Sequence, residues 1–250
     1  MLLAGGLQEQ IDSAGLGWFH ARLFAMCASI CLADGMEMTV LTMLREPVMR
    51  EYNVDKYGFA ALGSVVFGGM LCGSLLGGYL ADRLGRRFAI LVAASILCTF
   101  GLLSAVTTSF YSFAAARGLV GLAVGMCVPV ADSLLLEWSP TEWRSILTMT
   151  MVGIAFAIGS MLACATGLVL HQLMGEGTIW WRILMATCAL PSLISLPWMY
   201  IALPESPHYL MLNGRYEEAH TLLHDLVESN GTRSAVDTQV DIRSATPFHS

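Results

Sequence analysis

The stretch GFAALGSVVFGGMLCGSLLGGYLADRLGRR, from Gly58 to Arg87, decides how the rest of the chain is read. No charged side chain occurs from Gly58 to Ala81, and roughly 20 apolar residues suffice to cross a bilayer as a helix. Charge then arrives at once, in Asp82, Arg83, Arg86 and Arg87, as at a boundary between lipid and water. Within the apolar run Gly69, Gly73 and Gly77 recur every fourth residue and share one helical face, so that another helix can approach closely.

Working outward, five further stretches reach membrane-crossing length: Leu23 to Leu44, Phe88 to Phe110, Ser112 to Leu136, Ile146 to Leu170 and Ile183 to Leu203. Six such runs separated by short connections leave no polar face for a water-soluble exterior, and helices satisfy their own backbone groups in lipid. Composition agrees: 56% hydrophobic, 13% charged and a mean hydropathy of +0.64 exclude an ordinary soluble domain of 250 residues. The expected fold is therefore an all-α membrane protein with six transmembrane helices over 23–203, between an N-terminal segment 1–22 and a polar segment 204–250. Trp18, Trp138, Trp143, Trp180 and Trp181 lie just outside these runs, at expected head-group level.

Counting Arg and Lys gives only a small bias, since Arg45, Arg50 and Lys56 nearly balance Arg83, Arg86 and Arg87. Arg22, Arg144 and Arg215 tip it toward a cytoplasmic N-terminus, with both ends of the chain on that side of the bilayer. The first 20 residues hold Glu9 and Asp12 but no Lys or Arg, so the first span is expected to be retained rather than cleaved. Lys56 is the only lysine among 13 basic residues, and a net charge of -6 leaves no polybasic face for nucleic acid or anionic head groups. Cys27, Cys31, Cys72, Cys98, Cys127, Cys164 and Cys188 all fall in apolar runs and are expected to be buried free thiols. Neither they nor the six His residues show metal-ligand spacing, and no nucleotide-binding motif is present, so no metal or cofactor is expected.

Beyond Leu203, Ser206-Pro207 is a helix start, Asn213-Gly214 a stop, and Tyr216, Ala219, Leu222, Leu223 and Leu226 repeat at helical spacing; a pair of surface helices is expected. From Ser229 to Ser250 no periodicity survives, and a disordered tail is expected there. Pro191 and Pro197 should bend span six. Asn230-Gly231-Thr232 is a glycosylation sequon that a cytoplasmic location would leave unmodified.

Chemistry centres on Asp34-Gly35-Met36-Glu37 in span one, two acids three residues apart and so on one helical face. An ionised acid near the bilayer centre costs roughly 2.5–3.5 kcal/mol, so it is expected to face a cavity, an ion path or a partner. At 1.5 Å per residue Glu37 lies about 10 Å, and Arg117 about 8 Å, from the same end of spans one and four. Asp34 lies about 15 Å in, near the midplane. Glu37 is therefore the expected partner of Arg117, and Asp34 the expected proton or substrate group. A second polar set sits where spans two and four end: Asp82, Arg83, Arg86 and Arg87 with Asp132, Glu137, Glu142 and Arg144, charges able to lock one conformation and release another.

Gly77-Gly78-Tyr79-Leu80-Ala81-Asp82-Arg83-Leu84-Gly85-Arg86-Arg87 resembles the G-x-L-x-D-R-x-G-R-R signature carried by transporters of the major facilitator superfamily between their second and third helices. Arg117-Gly118 with Gly121 resembles that family's fourth helix, Glu137-Trp138-Ser139-Pro140 through Arg144 its E-x-S-P-x-x-x-R motif, and Pro204-Glu205-Ser206-Pro207 its P-E-S-P motif. Within the superfamily, Gly15 to Phe19 and Ala33 to Met38 look most like the synaptic-vesicle-related and organic-ion branch, and sugar porters share the other motifs.

The resemblance implies the N-terminal six-helix half of a secondary active transporter with no enzymatic chemistry. Such a protein moves a small organic solute (an organic ion, metabolite or sugar), proton-coupled, by alternating access against a second six-helix half. It also implies a gating network of Gly77, Asp82, Arg83, Gly85, Arg86, Arg87, Asp132, Glu137, Pro140 and Arg144. The 250 residues are expected to be a truncated product or a half that must pair, with the glycine rows of spans two and four open to a partner helix. The alternative reading is a transporter-like binding or regulatory membrane protein that does not transport.

Overall fold

The computed structural model describes residues 2–175, 177 and 179–230. Its helices are α1 (Leu2–Ala14), α2 (Trp18–Met43), α3 (Arg45–Tyr52), α4 (Lys56–Leu84), α5 (Arg86–Ala105) and α6 (Phe110–Trp138). They continue with α7 (Arg144–Met149), a π-helical turn (Thr150–Ala155), α8 (Phe156–Met174), α9 (Ile179–Cys188), α10 (Leu190–Ala202), α11 (Pro207–Leu212) and α12 (Tyr216–Asn230). Six stretches are long and apolar enough to cross a membrane: α2, α4, α5, α6, Arg144–Met174 and Ile179–Ala202. The chain is a multi-pass membrane protein. Each crossing stretch starts earlier or ends later than its apolar run, because the helix carries on past the lipid boundary.

Two layers form the bundle. In the front layer α4 packs on α6, α6 touches α2, and α2 packs on α8; α5 lies behind α6, and α9–α10 behind α2 and α8. The front seams are built on glycine. A Cβ at Gly73 would strike the Leu122 carbonyl, one at Gly77 the Met126 backbone, one at Gly121 the Val66 carbonyl and one at Gly125 the Met70 carbonyl. The glycine rows of spans two and four therefore face each other inside this bundle, and the expectation that they stay open to a partner helix is corrected. The α2–α8 seam works alike, with Gly35 against the Phe156 carbonyl and Gly159 against that of Leu32.

Span five departs from a plain helix through the π turn at Thr150–Ala155, beside the α2–α8 contact, and span six breaks at Ala189 before Pro191, which opens α10 at its first turn. Further corrections concern single elements. The segment before span one holds a helix, α1, which buries Leu7, Ile11 and Ala14; its single apolar stripe is too short to read as periodicity. Trp138 and Trp181 are not interfacial but fully buried, each with its indole N–H satisfied inside the protein. Cys72 is exposed on α4, unlike the buried Cys27, Cys31, Cys98, Cys127 and Cys188. α12 runs on through Asn230, and the tail expected from Ser229 otherwise lies at 231–250, outside the described residues.

Candidate functional site

Arg117 and Glu37 meet inside the front layer. The guanidinium Nη1 donates to the Glu37 carboxylate and Nη2 to the Glu37 carbonyl at 3.2 Å, with side chains 1% and 4% exposed. Arg117 Nε is buried without a partner among the described residues. Asp34, one turn along α2, is not drawn into this pair: its Oδ1 is buried and accepts no hydrogen bond among the described residues. An unpaired buried carboxylate oxygen is costly, and such atoms mark places where a proton or ligand group can be received. Gly35 between the two acids lets α8 approach, and Ser160 Oγ donates to the Gly35 carbonyl at 3.2 Å. α2 is thus pinned on one side by Arg117 and on the other by the glycine seam, with Asp34 between.

At the end of the bundle that carries Asp82 to Arg87, here the basic end, Arg86 is the centre. Its Nη1 donates to Asp82 and to the Ala81 carbonyl, both at 3.1 Å, and its Nε to Glu137 at 3.2 Å. Glu137 also accepts from Ser206 Oγ, which in turn caps α11 by accepting the Tyr209 N–H at 3.0 Å. Glu205 accepts the Arg87 N–H at 3.1 Å and the Ser206 N–H at 2.8 Å. Gly85 makes this possible: it joins α4 to α5 at φ 101, a conformation that a Cβ disfavours, and a Cβ there would strike the Glu205 carboxylate.

The remaining expected network members lie elsewhere. Arg83 stacks on Tyr79 at 4.7 Å, and Arg87 Nη2 donates to the Tyr200 carbonyl at 2.7 Å. Arg144 bonds Gln8 of α1 at 2.9 Å rather than an acid of spans two or four. Pro140 is buried in the turn after α6, its carbonyl accepting the N–H groups of Trp143 and Arg144. Asp132 does not join Arg86; its Oδ1 is buried without a partner among the described residues, like that of Asp34. Gly77 lies in the α4–α6 seam.

Sequence reading missed Glu205 and Ser206 as members of this network, although the P-E-S-P resemblance had marked the spot. It missed entirely a cluster at the opposite end, where Arg182 donates to Glu51 at 2.6 Å, to the Ala105 carbonyl at 2.8 Å and to the Thr107 carbonyl at 2.8 Å. Trp181 Nε1 adds a bond to Glu51 at 2.9 Å. No local signal links residues so far apart in the chain. Among the described residues His224, Asp225 and Glu228 are the one group with ligand atoms close together, within 4.8 Å; all three are exposed on one helix.

Residues 35–246 match the family described as sugar (and other) transporter. The synaptic vesicle 2-related protein of Xenopus laevis is 30% identical over 225 residues, which is 90% of this chain and 40% of that protein. The benzoate transport protein of Acinetobacter baylyi is 29% identical over 234 residues, 89% of this chain and 47% of that protein. The chain thus spans less than half the length of these curated relatives. The major facilitator superfamily proton:xylose symporter XylE superposes with a TM-score of 0.74 at 22% identity, over 86% of this chain and 50% of that chain. With a family match across most of its length and a six-span bundle of this shape, the chain belongs to the sugar (and other) transporter family and has the fold of the N-terminal half of a major facilitator superfamily transporter.

Proposed function

We propose that the chain supplies the N-terminal half of a secondary active transporter that moves a small organic solute, a sugar or organic ion, by alternating access coupled to protons. The observation that carries this reading is the contrast within one helical turn: Glu37 is neutralised by Arg117, whereas the Asp34 carboxylate has a buried oxygen with no partner among the described residues. A carboxyl group so placed can take a proton from one side of the membrane and give it up to the other when the bundle tilts. Arg117 and Glu37 hold α2 in register. Arg86 with Asp82 and Glu137, Glu137 with Ser206, and Glu205 with the Arg87 N–H form the contacts made and broken at the cytoplasmic end, where both chain ends lie.

A second six-helix half completes the pathway. The share of a similar structure that it spans supports this, since the chain covers 50% of the proton:xylose symporter chain on which it superposes. Uptake into proteoliposomes by a transporter containing this chain, with a pH gradient imposed, is the test. Asp34→Asn is expected to abolish gradient-driven accumulation while solute binding persists; accumulation unchanged by the substitution removes Asp34 from the coupling step. Binding without uptake by the unsubstituted protein favours the binding or regulatory reading instead.

A further inference from the structure

One acid inside the bundle has no part in the contacts described so far. Asp132 stands on α6 six residues before its last, Trp138, and so about 9 Å from the basic end. Asp34 is sixteen residues, about 24 Å, into α2 from the same end. Both helices belong to the front layer. The other acids near the basic end have found partners: Asp82 and Glu137 share Arg86, and Glu205 takes the Arg87 and Ser206 N–H groups. The Asp132 Oδ1 is buried and has no hydrogen bond among the described residues, a property it shares with Asp34 alone among the carboxylates.

The elements packed around Asp132 supply no countercharge. From α7, the Thr148 hydroxyl faces the carboxylate but falls short of hydrogen-bond geometry, and Thr148 Oγ1 is itself buried without a partner among the described residues. From α2 come the thiols of Cys27 and Cys31, both within reach of the Asp132 charge, and the Asp34 charge reaches Cys31 as well. Asp82 of α4 and Arg86 of α5 are bonded to each other, Arg144 at the start of α7 is bonded to Gln8, and Ser206 before α11 to Glu137. A carboxyl group placed this way can take up a proton, and a hydroxyl beside it can both accept and donate one.

We propose that Asp132 is a second proton station, which receives the proton released by Asp34 and passes it, beside Thr148, to water at the basic end. This station, which rests on the reading of Asp34 as the coupling acid, gives the proton its way out of the midplane. In the transfer the Asp34 carboxyl loses a proton and becomes a carboxylate, while the Asp132 carboxylate gains it and becomes a carboxyl. Water carries the proton across the about 15 Å between the two levels. Asp132 then gives the proton to bulk water and returns to the carboxylate form.

The test uses a transporter containing this chain in proteoliposomes, with the proton itself as the probe and the carboxyl stretch in infrared difference spectra as the signal. On acidification one band is expected that Asp34→Asn removes, and a second that Asp132→Asn removes. After a pH jump on the side of the basic end, the Asp34 band should rise about a hundredfold more slowly in Asp132→Asn, the low end of what a placed proton-transfer group contributes, and reach the same final level. Asp132→Glu should restore the rate. An Asp34 band that rises equally fast with and without Asp132 overturns the second station alone, whereas no Asp34 band at any pH overturns the coupling reading and the station with it. A slow rise that Asp132→Glu does not restore makes Asp132 a structural group and also overturns the proposal, as does a band at Asp132 displaced by sodium at fixed pH, which would make it a cation site.

Discussion

Arg117 and Arg86 both pair with a glutamate across the bundle, yet they do so in opposite ways. Arg117, 1% exposed, spends its bonds on one residue, Glu37, through both the carboxylate and the carbonyl. Arg86, 21% exposed, shares itself among Asp82, the Ala81 carbonyl and Glu137, and Glu137 passes the connection on to Ser206. Where water is excluded, losing a partner leaves a bare charge, so the pair behaves as a strut. Where water reaches, a lost partner can be replaced by solvent, so the contacts can exchange at small cost. The same residue types thus give rigidity inside the bundle and exchangeable contacts at the basic end.

The largest expected effect comes from breaking the strut. Glu37→Gln leaves the Arg117 charge without a counterion and should destabilise the bundle by about 3–5 kcal/mol, read as a fall in thermal midpoint in detergent. Replacing both residues by methionine should recover most of that loss, because no buried charge remains. A double variant as unstable as the single one would mean that the pair does not act as a unit. The cost should also be insensitive to salt.

Next comes the seam on which both sites depend. α4 carries Asp82 and α6 carries Arg117 and Glu137, and the glycines hold these helices at backbone contact. Gly73→Val forces a side chain onto the Leu122 carbonyl and should cost about 1–3 kcal/mol by overpacking. Cross-linking of cysteines placed across α4 and α6 should slow at both ends of the seam. Loss at one end only would show that the two sites move independently.

Breaking the exchangeable network should cost less. Glu137→Gln removes the charged partner of Arg86 but leaves Asp82 and solvent to replace it, so about 1 kcal/mol is expected. In contrast to Glu37→Gln, that loss should shrink in about 1 M salt, where the Debye length falls to about 3 Å.

The same contrast explains what the sequence made readable. Six crossing helices follow from runs such as Gly58 to Ala81, because lipid imposes one rule on every residue of the run. The Glu37–Arg117 pairing follows from depth along two helices, a one-dimensional quantity. Which helix faces which is not one-dimensional: the glycine rows are plain in the sequence, but that they meet each other depends on the packing order α4–α6–α2–α8. Arg144 could equally have met Glu137 as Gln8, since both are near the same end of the bundle, and only the docking of α1 decides it. Asp132 was grouped with Arg86 by level; the turn of α6 on which it stands points it elsewhere.

The smallest effect should come from α1, which is tied down where water is most accessible. The Asp12 carboxylate accepts the Thr141 N–H at 2.8 Å, the Gln8 amide at 2.9 Å and the Thr141 hydroxyl at 3.0 Å, holding α1 to the turn between α6 and α7. Burial pushes its pKa up, but the Thr141 N–H, the Gln8 and Thr141 side chains and the nearby Arg144 charge together outweigh this, so the pKa is lowered from 3.8. A carboxylate that is more acidic when docked than when free stabilises docking at every pH above its free value, and that contribution is lost as pH falls through the docked value. Docking of α1 should therefore hold at neutrality and weaken progressively as pH falls towards and below 3.8, the value of a free carboxyl. Fluorescence of a probe attached in place of Ser13, on the exposed side of α1, should report a transition below that pH. In Asp12→Asn the transition should vanish while the six-span bundle stays folded. A transition that persists in the variant would assign the acid sensitivity to a group other than Asp12.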